Sequence, residues 1–183
     1  MPSSPRIAAA PTTTVVVEVL LISADLDGLR FRVISAPLRG EHPDAVARSL
    51  AELPSGHPDG LLHSTSWRFA DRHLIVTYVA LPDPRPGAAT TPVAPAPVLG
   101  SDDPLAPSPT EIRPLDVAVH ACRHLAFLRQ TDATVATAAA AAPRIWRHVA
   151  EFTPVVAEML APNTIPSGVR SGGPSGVGAV ATR

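Results

Sequence analysis

The chain has 183 residues, 45% of them hydrophobic, 17% charged and 4% aromatic, the length of one ordinary domain with enough apolar matter for a core. Its 15 basic and 16 acidic residues leave a formal charge of −1, which excludes an overall cationic footprint for nucleic acid or an anionic membrane surface. The single cysteine, Cys122, excludes an intrachain disulfide and a multi-cysteine zinc site.

Residues 1–12 carry three prolines and no hydrophobic period, so they read as a disordered arm. They lack the charged, apolar, small-residue order of a secretory leader. The first long apolar run, Val15 to Ile22, is too short to span a bilayer, so the expected compartment is the cytoplasm. From Thr13 the chain turns β-branched and almost continuously apolar (TTTVVVEVLLIS), the pattern of a strand covered on both faces. Asp27-Gly28 separates it from LRFRVIS and predicts a hairpin, because glycine tolerates the positive φ of a tight turn.

After Pro37, Val46, Leu50 and Leu53 recur at i, i+4 and i+7. Pro43 and Pro54-Ser55-Gly56 supply start and stop signals for a short amphipathic helix. Two further strands follow, LLHSTSWRF and RHLIVTYVAL, separated by Ala70-Asp71. Residues 82–109 hold nine prolines and read as an extended insertion running over the surface. Ser108-Pro109-Thr110-Glu111 has the form of a capping box, with a restart near Leu115 equally compatible because of Pro114. A helix is expected beyond it, with an apolar stripe of Leu115, Val119, Cys122, Leu125 and Ala126. Asp132 caps an alanine-rich helix to Ala142, and Pro143 opens a third, bent at Pro154 and continuing to Met159. Residues 161–183 are rich in Gly, Ser and Pro and read as a disordered tail. The folded domain is therefore expected over 13–160.

Gly40-Glu41 followed by Arg48-Ser49-Leu50-Ala51-Glu52-Leu53-Pro54-Ser55-Gly56, set between a hairpin and further strands, resembles the signature helix of the Nudix superfamily. The resemblance implies an α/β/α sandwich with a mixed sheet, hydrolysis of nucleoside diphosphate-linked substrates, and magnesium held by carboxylates on one helical face. On it, Glu52 and Arg48 take catalytic positions, and Glu52 with Glu41 would ligate the cation. Ser49 and Leu53 stand where the family has two further acidic residues, and hard divalent cations want several oxygen ligands. The expected activity is therefore that of a binding module with a degenerate metal site, for a nucleotide-like small molecule. A metal-dependent hydrolase that rebuilds its site with Glu41, Asp44 or Glu111 is the alternative.

Other residues offer chemistry without the resemblance. Trp67 and Arg68, in the polar stretch His63-Ser64-Thr65-Ser66, could bind a base and its phosphate, or be a core ring and a cross-strand partner. Strand alternation predicts Ser64, Ser66 and Arg68 on one face. His120 and His124 stand four apart as in helical zinc sites, yet Ala121 follows His120 where HExxH has glutamate, so two surface or boundary histidines are expected. The proline-rich 82–109 segment suggests an interaction protein whose partner reads it in extended form.

Overall fold

The computed structural model describes residues 13–54, 60–87, 89–97, 103, 105, 109 and 111–156. A five-stranded mixed sheet lies between two helical layers. In chain order the elements are β1 (Thr14–Ala24), β2 (Leu29–Pro37), α1 (Pro43–Ala51), β3 (Leu61–Ala70), β4 (His73–Leu81), β5 (Thr91–Val93), α2 (Pro114–Thr131), α3 (Ala133–Ala141) and α4 (Pro143–Val149). The sheet order is β3-β4-β1-β2-β5, with β1 and β4 parallel and every other neighbouring pair antiparallel. No described helix is long and apolar enough to cross a membrane.

The run Val15 to Ile22 forms the middle strand because its two faces serve two different layers. Val17, Val19 and Leu21 pack with Ala47 and Ala51 of α1 and with Tyr78 and Ala80 of β4. Leu20 and Ile22 point the other way, into the larger core that α2, α3 and α4 close with Val117, Cys122, Leu125, Val135, Trp146 and Val149. Full burial of each such aliphatic side chain is worth about 1.5–3 kcal/mol. The predicted hairpin joins β1 to β2, and its turn is closed by Asp25, whose side chain accepts from the N–H groups of Asp27 and Gly28 at 2.9 and 3.0 Å. Gly28 has φ +150°, a conformation side-chain-bearing residues avoid.

α1 begins at Pro43 as expected, after His42, whose ring accepts from Asp44 N–H. The residues at the centre of its buried face are Ala47 and Ala51, with Val46, Leu50 and Leu53 partly buried around them, because only small side chains let the helix lie close on β1. The turn between β3 and β4 falls at Asp71-Arg72, both with positive φ (49° and 66°). Residues 82–109 are not wholly peripheral. Thr91–Val93 adds an edge strand to β2, and Val93 is buried in the larger core. α2 starts at Pro114 rather than in the predicted capping box: Arg113 N–H donates to Asp116 and the two side chains pair. The stripe on α2 is buried as predicted, but burial extends around most of the helix from Val117 to Leu128. Asp132 caps α3 by accepting from Thr134 and Val135 N–H, and α4 ends at Val149 rather than continuing past Pro154. The predicted arm 1–12, Ser108 and Thr110 of the predicted capping box, the stretch beyond Val156 to Met159 and the tail 161–183 lie outside the described residues.

Two ion pairs sit inside this framework. Arg68 of β3 reaches across β4 to Glu18 of β1 with two 2.8 Å bonds, and Thr77 donates to the same carboxylate at 3.1 Å. Arg32 of β2 holds Asp83 with two 2.7 Å bonds, and the Asp83 side chain is fully buried. Burial alone would raise the Asp83 carboxyl, but donation from Arg32 and from Arg85 N–H outweighs it and holds it below its ordinary value of 3.8. A carboxyl depressed in the folded state contributes stability above about pH 4 that is lost as pH falls through its folded value. Asp83→Asn, which leaves Arg32 buried without its carboxylate, should destabilise the protein by about 3 kcal/mol at neutral pH in urea unfolding. The variant should also show a shallower loss of stability below pH 4 than the parent.

Candidate functional site

The residues carried by the signature-like helix are placed apart. Arg48 is exposed in the last turn of α1. Glu52 is not within the helix but at its C-cap in a left-handed conformation (φ 55°), where its carboxylate pairs with Arg85 rather than with Arg48. Glu41 lies in the preceding loop and accepts from Arg39 N–H at 3.0 Å. Asp44 accepts a 2.5 Å hydrogen bond from Tyr78, whose hydroxyl is pushed up to about 12 by burial and by that carboxylate. As placed, Glu52 and Glu41 do not make the multi-oxygen donor set that magnesium needs. No three His, Cys, Asp or Glu side chains among the described residues gather at metal-ligating spacing.

Trp67 and Arg68 are also separated. The register shifts between Ser64 and Ser66, so Thr65 is an extra residue in β3 and the simple alternation fails there. Beyond the bulge Arg68 points towards Glu18 and Thr77 on the α2 side of the sheet, where its guanidinium is already engaged. Trp67 stands opposite Val76 on the other side and is 48% exposed, next to Phe69 at 63%. They cannot clasp one ligand from opposite faces of a strand.

The structure gathers a different set at the start of α2. Ala96, Pro97, Pro109, Ile112, Leu115 and Val119 wall a cavity of about 250 Å³, which also takes in Arg113, Asp116, His120 and Arg123. Asp116, Val119, His120 and Arg123 follow at i, i+3, i+4 and i+7, so one helical face presents them together. Arg113 and Asp116 neutralise each other through a bidentate pair with bonds of 3.0 and 2.9 Å. Arg123 is different. It is 9% exposed, its Nε donates to the Thr153 carbonyl at 3.0 Å, and no carboxylate faces it among the described residues. Its Nη groups are not sealed off, and the residue is one of those that line the cavity.

His120 and His124 are buried, not at the surface as expected. His124 Nδ1 lies 3.2 Å from the Val155 carbonyl, and the His124 ring lies tilted against that of His63 of β3, their centroids 5.4 Å apart. The Nε2 atoms of His120 and His124 are buried without a partner. Burial first and the neighbouring His124 second pull the His120 ring down to about 4, the Thr65 carbonyl opposes them, and Arg123 adds the smallest downward pull. His120 is therefore neutral at pH 7, leaving Arg123 as the cavity's one uncompensated charge among the described lining residues.

Arg123 does not stand out as a site residue in the sequence. Its only signal was an arginine set among apolar residues on a helix, at i+3 from a histidine, and the absent acid partner is visible only in three dimensions. The 82–109 segment considered for partner recognition lies in part outside the described residues (88, 98–102, 104 and 106–108), while Ala96, Pro97 and Pro109 wall the cavity. Comparison with family models, with curated proteins and with solved structures returns no match to this chain.

The histidines make a pH prediction with a definite sign. Burial lowers the folded-state values of His120, His124 and His63, so the unfolded chain takes up protons first as pH falls from 6.5. Stability should therefore decline between pH 6.5 and about 4, and His120→Gln should flatten that decline in urea unfolding followed across the range.

Proposed function

We propose that the chain is a small-molecule-binding module of α/β/α architecture, Nudix-like in the order of hairpin, short helix and further strands, whose ligand is an organic anion held in the α2 cavity. The observation that carries this reading is Arg123: an arginine nine-tenths buried, without a carboxylate partner among the described residues, lining a cavity with mainly apolar walls. A buried charge left unpaired costs several kcal/mol unless something compensates it, and a concave apolar site with a few converging polar groups is the usual form of a ligand site. The phosphohydrolase reading draws no support from α1, whose carboxylate at Glu52 is engaged by Arg85.

Thermal unfolding of the pure protein against a panel of carboxylates, phosphomonoesters and nucleotides tests this. At least one anion should raise the melting temperature of the parent, and Ile112→Trp, which fills the cavity from its half-buried rim, should cancel the shift. An anion at a hundred times its Kd stabilises by about 2.7 kcal/mol, well within detection. Metal-dependent turnover of a nucleoside diphosphate derivative, abolished by Glu52→Gln, would overturn the reading in favour of the hydrolase.

A site residue retained at a cost to stability should also reveal itself when removed. Arg123→Met keeps an unbranched apolar stem, though a shorter one, removes the unpaired charge and loses one hydrogen bond to Thr153. Its stability should equal the parent's or exceed it by up to about 2 kcal/mol, while anion binding disappears. A loss of stability of about 3 kcal/mol would instead make Arg123 a structural residue.

A further inference from the structure

The chemistry of the cavity narrows its ligand further, on the premise that the α2 cavity is a ligand site. The cavity has a volume of about 250 Å³. Most of its wall is aliphatic, and among the described lining residues the only ring is the small imidazole of His120, with no Phe, Tyr or Trp face for a base to stack on.

Charge narrows the choice again. The Arg113–Asp116 pair sums to zero, and Arg123 contributes one positive charge. A phosphomonoester carries about −1.5 to −2 at pH 7, which would leave surplus charge against apolar wall. A carboxylate carries one charge on two coplanar oxygens and matches the fork of a guanidinium. Because Arg123 Nε is committed to Thr153, the edge that remains is the one formed by Nη1 and Nη2. We infer that the cavity takes a monocarboxylate with a compact apolar tail, its two oxygens accepting end-on from Nη1 and Nη2 of Arg123 while the tail lies against Ile112, Leu115 and Val119.

Calorimetric titration of the full chain with octanoate, octanol, octyl phosphate and ADP decides the matter. Octanoate should bind at one site per chain, at least tenfold more tightly than octanol or octyl phosphate, with ADP showing no binding. Arg123→Gln should bring octanoate to the level of octanol, Arg123→Lys, which keeps the charge without the fork, should fall between, and Ile112→Trp should abolish binding of both. The lysine variant keeps the test decisive should the glutamine variant fail to fold, which its near-ultraviolet circular dichroism reports.

Tighter binding of octyl phosphate or ADP that remains sensitive to Arg123 would overturn the carboxylate inference and leave the anion site standing. Equal binding of octanoate and octanol, unaffected at Arg123 but lost in Ile112→Trp, would overturn the role of charge and leave only an apolar cavity. No binding of any of the four probes to the parent overturns the inference. If, in addition, no anion of the wider panel shifts its melting temperature, the ligand-site reading falls with it.

Discussion

Burial of β1 on both faces constrains everything packed around it. A strand with Val17, Val19 and Leu21 on one side and Leu20 and Ile22 on the other needs a helical layer on each, and it needs neighbouring strands on both edges to satisfy its backbone. That requirement places α1 on one face and α2–α4 on the other. The one acid in the run, Glu18, must then find its partner inside the sheet, and it does so through Arg68 and Thr77. The pairing fixes the register of β3 on β4 beyond the Thr65 bulge, so the irregular strand is held by the same interaction that allows a charge in the central one.

Three arginines illustrate how differently a buried guanidinium can be accommodated. Arg68 and Arg32 each meet a carboxylate with two short bonds, across strands in one case and between β2 and the loop after β4 in the other. Such pairs approximately cancel their own desolvation cost and act chiefly by specifying geometry, because a slipped register would strand both charges. Arg123 is comparably buried but has a single carbonyl acceptor, and it lines the cavity. The chain thus places one cation where its own side chains do not neutralise it, which is the asymmetry on which the proposed anion site depends.

Much of the architecture is legible in the sequence because local rules suffice for it. The continuous β-branched run identifies the middle strand, Asp27-Gly28 the hairpin, Pro43 the start of α1, and Asp132 and Pro143 the boundaries of the last two helices. What fails depends on long-range contacts. A bulge at Thr65 is invisible to period-two reasoning, and Val93 gains its burial from β2 some sixty residues earlier. Glu52 looks like a helical carboxylate by spacing, yet the helix ends at Ala51 and Arg85 captures its side chain from a distant loop. Trp67 and Arg68 are neighbours in sequence and therefore face opposite ways on a strand, which separates a pair that adjacency suggested.

Placing the proposed site on α2 has a structural logic. The helix is buried around most of its circumference, with Val117, Ala121, Cys122 and Leu125 anchored in the larger core. Cys122 itself is inert there, its thiol pushed up to about 12 by burial. Packing of that kind leaves a helix little freedom to rotate or slide, so the face carrying Val119, His120 and Arg123 is held in one orientation before any ligand arrives, and less entropy is lost on binding. The neutral His120 ring beside Arg123 fits the same logic: a second cation there would raise the cost of the empty cavity, and burial prevents it at neutral pH. The rigid element therefore supplies the position of the charge, and the segment bearing Ala96 and Pro97 supplies the wall that shields it from bulk water. In such a lower-dielectric setting a single guanidinium discriminates between charged and uncharged ligands more sharply than it could at the surface.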